Sequence, residues 1–142
     1  MEKQKIMTAG GVHLRPLWQW HKGEQELFKQ LVIGRCLHVF SGHSSIGDVR
    51  IDLASDEATH RFDALNFKDW QSLGEFDTVI ADPPYKYYGR LKWILKLSDI
   101  ARKRLILITP NVRIRLKGWE LTPYLIDGKG IMVKLCLVYD RM

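Results

Sequence analysis

The chain has 142 residues, 46% hydrophobic and 27% charged, the composition of one ordinary globular domain rather than of a disordered, fibrous or disulfide-stapled chain. No apolar run is long enough to span a bilayer and no apolar segment follows the charged Met1–Lys5, so an intracellular, cytoplasmic protein is expected. The formal charge of +6 is uneven: residues 1–85 hold 9 Lys and Arg against 12 Asp and Glu, residues 86–142 hold 13 against 4, which fits a polyanionic partner and equally a solvated surface.

In chain order, residues 1–23 carry Gly10-Gly11, Pro16, Trp18 and Trp20 and read as an irregular N-terminal arm ahead of a single domain at 24–142. Glu24–Leu31 reads as a short helix with Leu27, Phe28 and Leu31 on one stripe, ended by Gly34. Cys36–Phe40 is an apolar strand running into Ser41-Gly42, Val49–Leu53 a second, and Thr59–Phe62 a weak third before Asp63. Phe76–Ala81 is a strand, Arg90–Ala101 has helical spacing, and Arg104–Thr109 is apolar throughout, as a strand buried on both faces should be. Leu121–Ile126 and Ile131–Tyr139 flank Asp127-Gly128-Lys129-Gly130 and read as a closing hairpin. Cys36 and Cys136 lie in apolar runs and read as buried thiols of a reducing compartment. No Cys, His or acidic cluster has metal-ligand spacing, so no metal is expected.

In open α/β sheets, ligands sit beyond the carboxyl ends of the strands. Four predicted strands end there in Ser41-Gly42, Asp52, Asp63 and Asp82-Pro83-Pro84-Tyr85. With VFSG (39–42), the acid of RIDL, FDAL (62–65) and above all FDTVIADPPY (76–85), the sequence resembles the S-adenosylmethionine-dependent amino-methyltransferases of the D-P-P-Y type. The likeness covers roughly residues 37–110. It implies an α/β, Rossmann-like class I methyltransferase sheet, mostly parallel with a C-terminal antiparallel hairpin. It also implies S-adenosyl-L-methionine as cofactor, with Phe40, Ser41 and Gly42 near its methionine part, Asp52 accepting from the ribose hydroxyls, Asp63 at the adenine amino group, and Ala64 or Leu65 against the adenine ring.

The ADPPY stretch has a chemical logic of its own. An exocyclic amino group is a poor nucleophile, because its lone pair is delocalised into the ring. Two acceptors holding its N–H bonds would turn that lone pair toward a methyl sulfonium. The Asp82 carboxylate and the Pro83 carbonyl are the two acceptors, Pro84 stiffens the turn, and Tyr85 stacks on the base. Orientation and electrostatic matching would carry the rate, and a base in a duplex would have to be flipped out. The bland alternative is a Pro-Pro turn that merely closes a strand.

One departure stands out. Only His43–Asp48 separates VFSG from VRIDL, whereas a parallel crossover ordinarily takes a dozen residues. Either the two strands do not pair as usual, or a loop replaces the first helix. That Gly- and Ser-rich loop could form an anion-holding nest. No recognition domain is visible, so Lys86, Tyr88, Arg90, Arg113 and Arg115 are the expected nucleic-acid contacts, through phosphates and base stacking. Lys117 extends the second basic stretch, and the loop holding it is expected to border the active-site mouth. The expected activity is methylation of adenine N6 in DNA, with RNA as the near alternative and a protein glutamine third. The alternative class is a non-catalytic cofactor- or nucleic-acid-binding subunit of a methylation complex. A homodimer or a partner supplying target recognition fits the short chain.

Overall fold

The computed structural model describes residues 5–8, 22–64, 68–83, 91–109, 114–127 and 133–142. Among them, seven strands form one sheet: β1 (Lys5–Thr8), β2 (Cys36–Val39), β3 (Val49–Ile51), β4 (Phe76–Ala81), β5 (Ala101–Thr109), β6 (Trp119–Asp127) and β7 (Val133–Arg141). Their order is β1-β6-β7-β5-β4-β2-β3. The pairs β2–β3, β2–β4, β4–β5 and β1–β6 are parallel, and β7 runs antiparallel to both β5 and β6. The helices are α1 (Lys22–Leu31) and α2 (Leu91–Ile100), with a 3-10 turn at Trp70–Leu73.

Side chains alternate across each strand, and the alternation divides the core between the two faces. Leu37, Val39, Val79, Ala81, Leu105, Leu107, Leu137 and Tyr139 belong to one side, packed with Ile94 and Leu97 of α2 and with Trp70. The intervening Cys36, Ile80, Ile106, Ile108, Cys136 and Val138 belong to the other, packed with Leu27 and Phe28 of α1 and with Ile46. Strands covered on both faces must be apolar at every position, and this is why RLILIT lacks a polar phase. Fully burying a side chain such as Phe28 or Ile106 is worth about 1.5–3 kcal/mol.

Helix α1 carries Glu24 in its first turn and Lys29 in its last, matching the helix dipole. Its exit is pinned at the amino end of the central strands. The Thr78 hydroxyl accepts from Ile33 N at 3.0 Å and donates to Ile33 O at 2.5 Å. Arg104 donates to Leu31 O at 2.7 Å while its Nε pairs with Asp140 at 2.6 Å. The opposite end of α1, with Glu24, therefore lies toward the carboxyl ends of the strands.

Two expectations change and one element is new. Residues 5–8 are an edge strand rather than irregular, because pairing Lys5–Thr8 with Tyr124–Asp127 satisfies the open edge of β6. Thr59–Phe62 is not a strand: a single parallel bridge joins Ile51 to His60. Thr59 and Arg61 are exposed and His60 half-buried, so this segment has no apolar row to bury. The 3-10 turn at Trp70–Leu73 has no counterpart in the expected elements; it seats Trp70, 6% exposed, under the sheet.

The short crossover is real. Residues 40–48 alone connect β2 to β3, and the strands still pair in parallel, Leu37 with Val49, His38 with Arg50 and Val39 with Ile51. A loop thus replaces the first helix, and its Ile46 takes the place of that helix against the sheet. Asp48 closes the return by accepting Cys36 N at 2.8 Å and donating its own N–H to Cys36 O at 2.9 Å. His38 Nδ1–H donates to Ile46 O at 2.8 Å and holds the middle of the loop down.

Candidate functional site

Strand register fixes which residues leave the sheet together. Ile51 pairs with Val39, Val39 with Ala81, and Ala81 with Leu107. The next residues along those strands are Asp52, Phe40, Asp82 and Ile108, so Asp52 and Asp82 stand at the same carboxyl edge, two strands apart. At the usual inter-strand spacing their backbones are about 10 Å from each other. Two of the three acids that the sequence picks out, Asp52 and Asp82, thus share one edge, with the VFSG loop rising between them.

That loop is internally bonded. Ser41 N donates to Ile51 O at 3.0 Å, Gly42 N to Asp52 Oδ2 at 2.8 Å, Ser44 N to Ser41 O at 3.0 Å and Ile46 N to Ser44 Oγ at 3.1 Å. A nest needs convergent free N–H groups, and those of Ser41, Gly42, Ser44 and Ile46 are engaged. Phe40 is half-buried with φ 61, a left-handed conformation that bulky side chains seldom adopt. It turns the chain sharply off β2 so that Ser41 and Gly42 pass over the carboxyl edge. Ser41 is fully buried, and its hydroxyl has no hydrogen-bond partner among the described residues. A buried hydroxyl in that state is an open request for a polar group.

Asp52 is half-buried and works hard locally. Its Oδ1 accepts from Ala54 N at 2.9 Å and Ser55 N at 3.1 Å, while Oδ2 accepts from Gly42 N. Asp63 is half-buried, and Ala64 is 4% exposed and packed into the core. Asp82 is 7% exposed and Pro83 is buried, both directly beyond β4. Pro84, Tyr85, Lys86, Tyr88, Arg90 and Arg113 lie outside the described residues.

Arg115 is not brought to this edge. The neighbouring Ile114 carbonyl accepts the Tyr139 hydroxyl, and Tyr139 pairs with Leu105 at the middle of β5. Two residues on, Leu116 O accepts Trp119 N where β6 begins. The segment from Ile114 onward thus runs along the face of the sheet toward its amino edge, carrying exposed Arg115 and Lys117 with it.

Two residues join the site that the sequence reading passed over. Glu24 is 6% exposed, and its carboxylate and that of Asp82 both bear on the thiol of Cys136, whose pKa burial and these two acids push up. It occupies the position three residues ahead of Leu27 on the apolar stripe of α1, which was the available signal. Leu53, directly after Asp52, is 64% exposed and offers an apolar surface beside a carboxylate. Away from this edge, a cleft of about 690 Å³ opens near the starts of β4 and β5, lined among others by Lys68, Trp70, Glu75, Lys96 and Arg102. None of the sequence-predicted site residues that the structure describes lines it.

The sequence matches no protein-family profile and no curated relative. Its fold, however, has clear counterparts among solved structures. HI0767 of Haemophilus influenzae, named as a methylase, superposes with a TM-score of 0.56 at 18% identity over 84% of this chain and 96% of that one. YhhF of Escherichia coli, named as a methyltransferase, gives 0.53 at 18% identity over 93% and 89%. Magnesium protoporphyrin IX methyltransferase of Synechocystis PCC 6803, solved with bound SAH, gives 0.50 at 12% identity over 82% and 78%. The fold is that of the class I methyltransferases. In this chain β2 passes to β3 through a loop without a helix, and the segment at His60 contributes one bridge rather than a strand.

Proposed function

We propose that the protein transfers a methyl group from S-adenosylmethionine to an exocyclic amino group of a nucleic-acid base, with adenine N6 in DNA as the target. The observation that carries this reading is the shared row of Asp52 and Asp82 at the carboxyl edge, with the buried, unsatisfied Ser41 hydroxyl on the loop between them. It supports a reading in which a ribose acceptor and an amine acceptor work from one edge of the sheet. The solved neighbours, all named as methylases or methyltransferases and one solved with SAH, support the cofactor.

The residues present fit that cofactor. Ser41 has a hydroxyl to offer its methionine part, Asp52 retains acceptor capacity for its ribose, and Leu53 presents apolar surface for its adenine. When bound, the cofactor supplies a methyl group on a sulfonium, and the chain's task is to aim a nitrogen at it. Asp82 and the Pro83 carbonyl accept the two N–H bonds of the target amine and hold its lone pair out of conjugation with the ring. Burial of Asp82 strengthens this grip, because a charge-assisted hydrogen bond in a poorly solvated site is stronger than one in water. No strong base is required, since the amine becomes acidic once alkylated and a neighbouring carboxylate can take the proton.

The test is transfer of tritiated methyl from labelled S-adenosylmethionine to unmethylated DNA, tRNA, rRNA and protein pools, followed by nucleoside mass spectrometry. N6-methyladenine in DNA is the expected product. Label confined to RNA or protein would overturn the substrate, and absence of both transfer and cofactor binding would overturn the enzyme. Asp82→Ala should keep cofactor affinity and lose turnover by at least about 100-fold; full turnover in that variant would remove the role given to Asp82.

A further inference from the structure

Register places Asp82 in one row with Cys136. Ala81 pairs with Leu107, so Asp82 stands beside Ile108, and Ile108 pairs with Cys136. Ile80, Ile108 and Cys136 belong to the face covered by α1, and Asp82, two residues past Ile80, is in phase with them. Glu24 reaches the same place from the helix. At the end of α1, Leu31 and Ile33 are bonded to Arg104 and Thr78, a register pair of β5 and β4. From that pair the strand runs on to Asp82 over about 13 Å, while the helix runs back from Leu31 to Glu24 over about 10 Å. Both acids are buried, and both carboxylates act on the Cys136 thiol. Like charges held in a poorly solvated place repel each other, a cost to the fold. The helix dipole alone does not call for that cost, since an exposed acid such as Glu26 serves it as well.

Resting on the function proposed above, we infer that Glu24 is a second carboxylate of the methyl-transfer site, whose negative charge stabilises the positive charge arriving on the target nitrogen. In the transfer the nitrogen lone pair forms the new N–C bond. The electron pair of the breaking S–C bond stays with sulfur, and the positive charge passes from sulfur to nitrogen. The N–H proton then leaves along its hydrogen bond to Asp82, its bonding electrons returning to nitrogen. Glu24 acts on this step by its charge, from the helix side, and is felt over several ångströms because buried charges are weakly screened.

The first test needs no ligand. Urea unfolding at neutral pH of Glu24→Gln, Asp82→Asn and the double variant forms a cycle. Either single change relieves the repulsion, so the double variant should be less stable than the sum of the two single effects. Additive effects, or a double variant more stable than that sum, would overturn the inference. The second test is methyl transfer to the pool that accepts label from the wild-type protein, with calorimetry against S-adenosylhomocysteine. In Glu24→Gln, kcat should fall about 10-fold or more, while KM and S-adenosylhomocysteine affinity stay within about 3-fold. Glu24→Asp keeps the charge and should recover most of kcat. Unchanged kcat in Glu24→Gln, or an equal loss in both variants, would overturn the inference. So would a rise in KM alone or a loss of S-adenosylhomocysteine affinity, which would make Glu24 a binding group. Should Glu24→Gln fail to fold, a 10-fold loss of kcat in Glu24→Asp, about the size expected of charge removal, still overturns it. A wild-type protein that neither binds S-adenosylhomocysteine nor transfers methyl would remove the function on which this role rests, and the role with it, whatever the stability cycle shows.

Discussion

The Asp52 carboxylate and the Gly42 backbone N–H meet at 2.8 Å and tie the end of β3 to the loop that leaves β2. Gly42 is buried, so its N–H cannot turn to water if the carboxylate is removed. Asp52→Ala should therefore cost about 2–3 kcal/mol, chiefly the unsatisfied Gly42 donor, with the exposed Ala54 N–H recovering its bond from solvent. Urea unfolding at neutral pH measures this. A loss below about 0.5 kcal/mol would mean that the loop holds its shape without the clamp.

The same loop depends on Gly47. Its φ is 111, and a Cβ added there would sit 2.9 Å from the Cβ of His38 and 3.3 Å from the Val49 carbonyl oxygen. Both neighbours belong to strands and cannot swing aside. Gly47→Ala should thus cost about 2–4 kcal/mol, the left-handed backbone and the clash together. Gly118→Ala isolates the first contribution: φ there is 86 and nothing lies within 4 Å of the added carbon, so about 1 kcal/mol is expected. Equal losses in the two variants, measured side by side in urea, would argue that no close approach exists at Gly47.

The two thiols should be silent. Burial, with Asp48 nearby, pushes Cys36 up to about 12, and Cys136 is driven in the same direction by burial and by Asp82 and Glu24. At pH 8 the thiolate fraction of Cys36 is then on the order of 10⁻⁴. An aromatic disulfide reagent should modify neither cysteine in the native protein and both after guanidinium unfolding. Prompt native labelling of one thiol would show that its face of the sheet opens to solvent.

How far the sequence speaks for the fold depends on how apolar each element is. Phe76–Ala81 is a strand with the expected bounds because Phe76 and the β-rich apolar run Val79–Ala81 bracket only Asp77 and Thr78, and a segment this short and apolar is buried most readily as a strand. The hairpin and α1 follow from equally plain periodicity. Lys5–Thr8 was illegible because an outer strand of four residues draws its stability from the edge it covers, which no local pattern records. The Asp52 clamp was illegible for a related reason: the acid was visible, but its three backbone partners depend on how the chain turns beyond β2 and β3. Glu24 was open to a closer reading, since positions 24, 27, 28 and 31 form one helical stripe and an acid on an apolar stripe is out of place unless it serves a site. Arg115 could not have been placed from spacing, because the segment that carries it is anchored by the distant Tyr139 hydroxyl.

His38 makes the loop sensitive to acid. It is fully buried in β2, and its Nδ1–H donates to Ile46 O. Desolvation lowers its pKa from 6.5 to about 4, aided by Arg50 and opposed by the Ile46 hydrogen bond and by Asp52. A histidine with a depressed native pKa stays neutral in the fold while the unfolded chain takes up a proton. Stability linked to His38 is therefore present in full above about pH 6.5, falls as the pH drops toward 4, and levels off below that. Across this window the loss amounts to about 3 kcal/mol. His38→Asn places an amide N–H close to the position of Nδ1–H and cannot titrate. Unfolding free energies from urea curves between pH 4 and 7 should fall less steeply for the variant, the gap closing by about 3 kcal/mol toward pH 4. Carboxylates contribute to both curves below pH 5 and cancel in the difference. Parallel curves for the two proteins would show that His38 takes up its proton in the fold as readily as in the unfolded chain, and that the loop bearing Ser41 and Gly42 does not require a neutral imidazole.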